Sequence, residues 1–560
     1  MKQPDIDPEC FDRTDLVYVE DDLNTLPHDI IFHRLHFLAC HQNTVAIRDT
    51  DRSLEISYGQ LLSDIVTAKN LVLSKLHIST LEQLRADKEV SFLILARGYE
   101  FVVSFFTVLA IGGIAAPTSP HVTLAEALHF MKTSKGQAVL HSRDFEALAA
   151  EISHSSEVYS ECRHVCIDSH PDVRLLNPRK IRFSMKKIPD VNNPGAIIFT
   201  SGSTGKPKGA AMRRYNILVH ALLLMWKNNI NKAYTILQML PTHHAAGLVQ
   251  NTLPTLMGGG TVEFTLPRFD AAAIWERIRR EGIQSISAVP TIYVRLLSHF
   301  ENVLSKLDSA EKEIYRSAMS KVGQFQCGTS SLPTSVAARW EELFERRILE
   351  RYGGTEFGNP YANYAGSKFV LGSAGMRNPG IESYLENGDH GEIFARSPLM
   401  FSKYINNVEG TRDSLTAEGY FKTGDIAERV EDHYFIKGRK SVDILKTGGY
   451  KVSALDIEHA MTNHPKIAEA IVVGVDDDEF GQRVAAAVVL KEGYHELSLS
   501  ELRRDLQKSL SNYKLPSILR VVPELQKTAN MKIPKQLLKK ELFDSKHPDI
   551  ETWQFSKPKI

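Results

Sequence analysis

The chain has 560 residues, of which 43% are hydrophobic and 24% charged, an ordinary balance for a globular protein long enough for several domains. Lys plus Arg and Asp plus Glu are both 67, so the net charge of zero gives no electrostatic reason to expect nucleic acid or a membrane surface as partner. Five scattered cysteines favour a reduced intracellular protein, and we expect a cytoplasmic location.

The sequence carries no convincing targeting or membrane segment. The acidic N-terminus lacks the apolar core of a signal peptide. The most apolar stretch, Phe101–Pro117, is short for a membrane span and is interrupted by Gly112 and Gly113, so we predict a buried helix that runs into a strand. The last three residues, Pro558–Ile560, loosely resemble a peroxisomal tripeptide, which makes the peroxisome the alternative location.

Strand-like runs alternate with helical stretches through most of the chain, a pattern that predicts an α/β fold with largely parallel sheets. Examples in chain order are strand Val90–Ala96, helix Phe101–Ile111, strand Ala138–His141, strand Ile236–Leu240, helix Ile274–Glu281 and strand Ile286–Val289. From about Ile381 shorter, glycine-punctuated runs predict a β-rich subdomain. Beyond Gly438–Ser441 a further helix, two strands and a helix (Ala454–Asn463, Ile467–Val475, Val484–Val489, Ser498–Leu510) predict a separate C-terminal domain.

The segment Thr200–Gly209 has the composition of a phosphate-binding loop. It follows the apolar run Ala196–Phe199 and consists of glycines, hydroxyl residues, one proline and two lysines, Lys206 and Lys208. Glycines allow backbone N–H groups to approach an anion closely. The spacing does not fit the common P-loop, and a loop of this composition can also be a surface linker.

Four further stretches contain residue types suited to nucleotide and acid chemistry. Glu356 ends Arg351–Glu356, which we place after a helical stretch ending at Leu349, and its carboxylate suits Mg²⁺. Asp425 is suited to ribose hydroxyls, His244 follows an apolar strand, and Lys532 lies in a basic stretch. Each alone has an ordinary explanation as a turn, a core histidine or a solvated surface.

Together and in this order, these stretches resemble the adenylate-forming superfamily of acyl-CoA synthetases, luciferases and peptide-synthetase adenylation domains. The resemblance runs from about Ile56 to the C-terminus and includes Leu109–Pro117, Gln326–Pro333 and Gly438–Tyr450. Three stretches resemble malonyl-CoA synthetases in particular: Val289–Leu296, Ser441–Ala454 and Phe480–Val484. The resemblance implies a large N-terminal domain of α/β subdomains plus a β-rich subdomain (residues 1–439), a hinge (440–441) and a small mobile α+β C-terminal domain (442–560).

The resemblance also implies site residues for ATP, Mg²⁺ and coenzyme A. The phosphate loop would close over the β- and γ-phosphates, with contacts from Thr200, Ser201, Gly202, Ser203, Thr204, Gly205 and Lys208. Adenine would be framed by Gly328, Thr329, Ser330 and Tyr352, with Gly353 allowing close approach of the backbone to the nucleotide. The ribose would be bound by Asp425 and Arg439. Thr355 would contact the α-phosphate, Glu356 would hold Mg²⁺, and His244 would line the acyl pocket.

In this superfamily the acid attacks the α-phosphate of ATP, and coenzyme A then displaces AMP. Lys532 would bridge the acid and the nucleotide in the first step, because a desolvated lysine offsets the repulsion between carboxylate and phosphate. A swing of the C-terminal domain about Lys440–Ser441 would then replace it with Lys446, Gly448 and Gly449, beside which the pantetheine arm passes.

The predicted function is therefore an ATP-dependent acid–CoA ligase whose small-molecule acid is malonate or another small dicarboxylate. The alternatives are a fatty or aromatic acyl-CoA or acyl-AMP ligase of a specialised pathway, with a carrier protein as acceptor in the latter, a luciferase-like oxygenase, and a nucleotide-binding pseudoenzyme. A dicarboxylate needs a cation for its second carboxylate, and Arg268 and Arg295 are candidates near pocket motifs.

Three positions depart from the family pattern. Gly354 replaces a bulkier residue and is expected to leave room at the floor of the acyl pocket. Met531 stands where glycine usually precedes the catalytic lysine, and the hinge residue is Ser441.

Overall fold

A computed structural model describes residues 18–19, 23–155, 157–158, 160–168, 175–185, 189–200, 207–265, 269–364, 366–447, 450–477, 480–527, 533–543 and 547–553. These residues form a large N-terminal domain with two helix-covered sheets and an antiparallel subdomain, and a smaller C-terminal domain with its own sheet. The mixed α/β fold class predicted from the sequence is confirmed.

The first large sheet has seven strands and includes the two strands that flank the predicted phosphate loop. Its spatial order is Lys403–Tyr404, Lys208–Arg213, Pro194–Thr200, Ile114–Pro117, Ser91–Leu95, Ala138–His141, Arg163–Cys166. The five strands from Pro194–Thr200 onward are parallel, and the first three are joined by antiparallel pairing. All five side chains of Ser91–Leu95 are buried, as expected for a parallel strand covered on both faces.

The second large sheet has nine strands and carries the Tyr352–Glu356 motif. Its order is Met376–Arg377, Gly358–Ala362, Ile348–Gly354, Gln324–Cys327, Ser285–Ala288, Thr235–Gln238, Thr261–Phe264, Val45–Asp49, Leu54–Ser57. The central strands are parallel and the ends are antiparallel. Trp275, Trp340 and Phe344 are fully buried in the core that its helices form against it.

Three smaller sheets complete the described part. The antiparallel subdomain consists of Glu382–Leu385, His390–Arg396, Phe421–Val430 and His433–Arg439. The C-terminal sheet has the order Tyr450–Ser453, Ile444–Thr447, Gly481–Leu490, Ile518–Val521, Ile550–Thr552, with Ile467–Asp477 also paired to Gly481–Leu490. A small parallel sheet joins Tyr18–Val19, Arg182–Ser184 and Thr25–Leu26.

The α-helices connect and cover these sheets. They span Ile30–His41, Tyr58–Lys75, Ile78–Arg85, Gly98–Ile111, Leu124–Ser134, Glu146–His154, Arg214–Lys227, Leu253–Gly258, Ala271–Arg279, Pro290–Asn302, Ser309–Ser320, Thr334–Phe344, Val408–Asp413, Ala454–Thr462, Leu499–Leu506 and Lys535–Leu542. A π-helical turn, Ala246–Thr252, precedes Leu253–Gly258.

The apolar stretch Phe101–Pro117 is a buried helix followed by a strand, as predicted. The helix Gly98–Ile111 is buried along almost its whole length and ends at Gly112, whose φ of 87° is left-handed. The strand Ile114–Pro117 follows in the first large sheet. Among the helices of the described ranges, not one is long and apolar enough to cross a membrane.

One predicted boundary is wrong. The stretch ending at Leu349 is not helical: the helix Thr334–Phe344 ends at Glu345, whose φ is 56°, and Leu349 lies in the strand Ile348–Gly354. Leu349 pairs with Gln326 of the neighbouring parallel strand. The secondary structure of this segment is set by its pairing with a strand that is distant in sequence, and the local sequence pattern does not reveal that pairing.

A buried ionic cluster lies directly after the predicted hinge. Lys535 Nζ is 2.6 Å from Asp443 Oδ1 and 2.6 Å from Glu458 Oε1, with side-chain exposures of 13%, 15% and 12%. Asp443 Oδ2 accepts a hydrogen bond of 2.9 Å from the backbone N–H of Arg439, and Glu458 accepts one of 2.6 Å from Val472. The cluster therefore ties the hinge segment to the first helix and to the last helix of the C-terminal domain.

Lys535→Met is expected to destabilise the C-terminal domain by about 3 kcal/mol, because it leaves two buried carboxylates without their cation. Thermal unfolding monitored by calorimetry checks this. Lys539→Met is the matched control, since Lys539 lies one turn later and contacts the exposed Asp476 at 3.4 Å. Equal unfolding temperatures for the two variants would contradict the expectation.

Candidate active site

The structure describes the two ends of the predicted phosphate loop. Thr200 and Lys208 are directly paired across the antiparallel strands Pro194–Thr200 and Lys208–Arg213. The Nζ of Lys208 lies 5.0 Å from the ring centroid of Tyr404, in cation–π contact. The loop residues Ser201, Gly202, Ser203, Thr204 and Gly205 lie outside the described residues, as do Gly448, Gly449 and Lys532.

Glu356 joins the phosphate-loop strand to the Tyr352–Glu356 motif. Its Oε1 accepts a hydrogen bond of 2.9 Å from the hydroxyl of Thr200 and one of 3.0 Å from the hydroxyl of Tyr404. Within the described ranges Oε2 has no hydrogen-bond donor. A carboxylate oxygen beside hydroxyls is the ligand chemistry that Mg²⁺ prefers, so the residues fit the predicted metal role.

Asp425 is held by two residues that the motifs also predicted. Asp425 Oδ2 accepts a hydrogen bond of 2.7 Å from the hydroxyl of Tyr352, and Oδ1 accepts one of 2.9 Å from Nε of Arg439. Burial and the neighbouring Asp425 raise the pKa of Tyr352 well above its usual value, which keeps the hydroxyl a donor. Each carboxylate oxygen has a second lone pair, so both can still accept a hydroxyl.

The Gly328–Ser330 segment has a constrained backbone. Thr329 has a φ of 76°, in the left-handed region that β-branched residues avoid. At Gly328 an added Cβ would lie 3.2 Å from Cγ of Arg351, so the segment sits close against that side chain. Strained conformations of this kind cost about 1–3 kcal/mol and cluster at binding sites.

The two motif glycines are required by close contacts. At Gly353 an added Cβ would lie 2.3 Å from Oδ1 of Asn359. At Gly354 it would lie 2.5 Å from Cε1 of Phe357, so the Phe357 ring fills the space next to this glycine. The expectation that Gly354 opens the pocket floor is therefore wrong, since a residue three positions later takes the room.

His244 lies just before the π-helical turn, and Lys446 lies in the C-terminal domain. His244 is half-buried, and its ring centroid is 4.3 Å from that of His243. π-Helical turns are frequent at functional sites. Lys446 is exposed on the strand Ile444–Thr447, where its backbone N–H donates to Gln482. Thr355 follows directly on the strand Ile348–Gly354 and is half-buried beside Glu356.

A cationic site that the sequence analysis missed lies beside the motif. Arg351 donates hydrogen bonds of 2.8 Å to Oε1 of Gln326 and 3.0 Å to Oγ of Ser287. Desolvation lowers its pKa to about 10, and within the described residues no carboxylate lies at ion-pairing distance. Arg351 is half-buried, so part of its surface remains accessible to a ligand.

Arg351 is part of a polar cluster that we define as Arg351, His220, Lys227, Gln250, Asn359 and Tyr364. Gln250 Nε2 donates to Asn359 Oδ1 at 3.0 Å, and His220 Cε1 lies 3.7 Å from the Cβ position at Gly358. Burial, with Arg351 and Lys227 nearby, lowers the pKa of His220 to about 4, so the imidazole is neutral. Three buried polar atoms of this cluster lack a hydrogen-bond partner among the described residues: His220 Nδ1, Gln250 Oε1 and the Tyr364 hydroxyl.

Of the two arginines suggested by the sequence, the structure describes one, Arg295, and it does not take this place. Arg295 is exposed on the helix Pro290–Asn302, with its guanidinium 5.8 Å from the ring of Phe269. Arg268 lies outside the described residues. The signal that was available is a charged residue one position before Tyr352, in the strand Ile348–Gly354.

The chain belongs to the AMP-binding enzyme family. The family's model matches residues 79–405, and the model of the AMP-binding enzyme C-terminal domain matches residues 456–532. The fold is that of the adenylate-forming superfamily, and the chain is an ATP-dependent, AMP-forming acid–CoA ligase that uses ATP, Mg²⁺ and coenzyme A.

Similar curated proteins include a probable CoA ligase, CCL8, of Humulus lupulus, 34% identical over 481 residues (79% of this chain and 78% of that protein). The malonate–CoA ligase of Arabidopsis thaliana is 31% identical over 530 residues (89% and 86%). The mitochondrial malonate–CoA ligase ACSF3 of Homo sapiens is 32% identical over 492 residues (81% and 82%). Among solved structures, ATP-bound MatB from Rhodopseudomonas palustris has the same fold, with a TM-score of 0.76 at 24% identity, covering 94% of this chain and 100% of that one.

Proposed function

We propose that the acid activated by this ligase is a small dicarboxylate, with malonate the first candidate. The observation that carries the proposal is Arg351, a deep guanidinium with no carboxylate partner among the described residues. An unpaired charge in such surroundings is costly, and an anion that binds there relieves the cost. The second carboxylate of a diacid is the anion that an acid–CoA ligase would bring.

The position of Arg351 next to the nucleotide motifs supports this assignment. Gly328 of the adenine segment lies against its side chain, and Tyr352 follows it directly. The neighbouring polar cluster adds Gln250 and Asn359, and Asn359 reaches the Cβ position of Gly353. A diacid can therefore place one carboxylate at Arg351 while the other lies on the nucleotide side of the motif.

The motif residues take the following roles in this proposal. Thr200 and Lys208 anchor a loop over the β- and γ-phosphates, with Ser201, Gly202, Ser203, Thr204 and Gly205. Gly328, Thr329, Ser330, Tyr352 and Gly353 frame adenine, while Asp425 and Arg439 bind the ribose hydroxyls. Glu356 would hold Mg²⁺, whose charge would offset that of the phosphates.

The chemistry then proceeds in two displacements. A carboxylate oxygen of the acid attacks the α-phosphorus, held by Thr355 and Lys532, and the bond to the β-phosphate breaks to release pyrophosphate. The C-terminal domain turns about residues 440–441 and brings Lys446, Gly448 and Gly449 to the site. The thiolate of coenzyme A attacks the acyl carbon, beside His244, and AMP leaves.

The relatives support the same acid. The proteins from Arabidopsis thaliana and Homo sapiens are malonate–CoA ligases, and both align with more than four fifths of this chain. The probable CoA ligase of Humulus lupulus carries no named acid, so the shared identity supports malonate without selecting it.

A panel of acids tests the proposal. The purified full chain, ATP, Mg²⁺ and coenzyme A are combined with malonate, propionate, octanoate or coumarate, and pyrophosphate release is measured. We expect malonate to exceed propionate by about 10²-fold or more in kcat/KM, because only malonate satisfies the buried cation. Turnover of octanoate or coumarate without malonate would assign a fatty or aromatic acid instead. Acid-dependent ATP–pyrophosphate exchange without coenzyme A turnover would indicate a carrier protein as acceptor.

A further inference from the structure

A second cation, Lys227, extends the polar cluster away from Arg351. Lys227 is the last residue of the helix Arg214–Lys227, and His220 precedes it by seven residues, which is about two turns, so both lie on one face. The Nζ of Lys227 lies 3.6 Å from the ring centroid of Tyr364 and 3.4 Å from Oδ1 of Asn378.

The contacts of Lys227 lead back to the nucleotide motif. Asn378 Nδ2 donates a hydrogen bond of 2.5 Å to the carbonyl oxygen of Asn359. Asn359 in turn lies against Gly353: a Cβ added at this glycine would be 2.3 Å from Oδ1 of Asn359. A continuous polar wall, which we define as Gly353, Asn359, Asn378 and Lys227, therefore runs from the motif to the exposed end of the helix.

The described part of the chain supplies no anion for Lys227. Within the described residues no carboxylate pairs with it, although 67 acidic residues balance the chain's 67 basic ones. Its only neighbours in the contacts above are a ring and an amide. The hydroxyl of Tyr364 beneath it is buried without a hydrogen-bond partner in the described chain. A ligand with a negative group and acceptor oxygens would satisfy both.

The geometry points to Lys227 as an outer anion subsite, which accepts the far carboxylate of dicarboxylic acids longer than malonate. The inference rests on the proposed acyl side of the motif. Arg351 lies two residues before Gly353, whereas Lys227 is reached from Gly353 only through Asn359 and Asn378. The two cations, Arg351 and Lys227, therefore suit diacids of different length. Arg351 serves the short diacid, and Lys227 serves acids extended by several methylene groups along the polar wall.

The charges around Lys227 support this role. Although the residue as a whole is exposed, desolvation of its ammonium group and the nearby Arg351 lower the pKa of Lys227 to about 8, so it is still mostly protonated at neutral pH. His220 is neutral, and desolvation raises the pKa of Tyr364 to about 12, so neither supplies a countercharge. A bound carboxylate would restore the pKa of Lys227 toward its ordinary value.

The test measures kcat/KM of the full chain for malonate, glutarate and adipate, and for the monoacids pentanoate and hexanoate. Lys227→Met is expected to lower the values for glutarate and adipate about tenfold, the worth of a hydrogen bond to a charged group. Malonate and the monoacids should change less than threefold. Lys227→Arg should keep the preference for the longer diacids, and Lys232→Met, an exposed lysine in the next loop, should leave every acid unchanged.

The pH profile separates a charge role from a structural one. For adipate, kcat/KM of the natural protein should fall as the pH rises through about 8, where Lys227 loses its proton, and Lys227→Arg should remove this fall. Equal losses for malonate and adipate in Lys227→Met would overturn the inference, as would wild-type values for adipate no higher than for hexanoate. If malonate is turned over and Lys227→Met leaves kcat/KM for adipate unchanged, this inference alone is wrong. If adipate is turned over in a way that Lys227→Met impairs, and malonate is not turned over, the malonate proposal alone is wrong.

Discussion

Arg351→Met is expected to lower kcat/KM for malonate by about 10²–10³-fold, because removing one member of a buried, hydrogen-bonded charge pair typically costs several kcal/mol. Propionate, which has no second carboxylate, should be used as well or better, since the apolar side chain suits its methyl group. The measurement is pyrophosphate release with each acid, and the ratio of malonate to propionate is the decisive quantity.

The matched control for this variant is Arg295→Met. Arg295 is exposed on its helix and was the candidate suggested by sequence proximity. Arg295→Met should leave the malonate-to-propionate ratio unchanged. A preserved ratio in Arg351→Met combined with a lost one in Arg295→Met would move the anion site to the helix Pro290–Asn302. An unfolding temperature measured for each variant separates loss of the site from loss of the fold.

Lys532→Ala is expected to lower acid-dependent ATP–pyrophosphate exchange by about 10²–10³-fold, the usual cost of removing a preorganised charge that stabilises a transition state. Transfer of the acyl group from supplied acyl-adenylate to coenzyme A should stay within threefold, since the second step uses the other orientation of the C-terminal domain. Measuring the two half-reactions separately gives the result.

Lys527→Ala is the control for the basic stretch around Lys532. Lys527 Nζ forms an ion pair of 2.7 Å with Glu469, so its charge is already used within the described structure. Both half-reactions should survive in this variant. If exchange also survives in Lys532→Ala, the assignment of that lysine is wrong, while the ligase activity of the family is unaffected.

The residues singled out on the nucleotide side could be found in the sequence because each belongs to a short continuous motif. Thr200 and Glu356 are 156 residues apart, yet the hydroxyl of Thr200 donates to the carboxylate of Glu356. Tyr352, Asp425 and Arg439 likewise converge on one carboxylate. Each stretch alone has an ordinary explanation, and it is their order along the chain that predicted a nucleotide site.

The acyl side of the site was less predictable, because it is assembled from side chains that no single segment contains. Arg351 stands inside the motif Arg351–Glu356, but the proposed anion site also includes His220 and Lys227, on a helix more than a hundred residues earlier. Gly354 suggested an open floor, whereas Phe357 packs into that space, against Phe421 at 5.3 Å between ring centroids.

The sequence by itself determined the α/β class, the two-domain order and the nucleotide chemistry, because alternating apolar runs and glycine-rich strand ends constrain the backbone locally. Only the tertiary structure decided that Leu349 is in a strand and that Phe357 fills the space beside Gly354. It also decided that, among the described residues, no carboxylate pairs with Arg351 or Lys227. Those features depend on which side chains, distant in sequence, lie on the same face, and on how far burial desolvates a charged group.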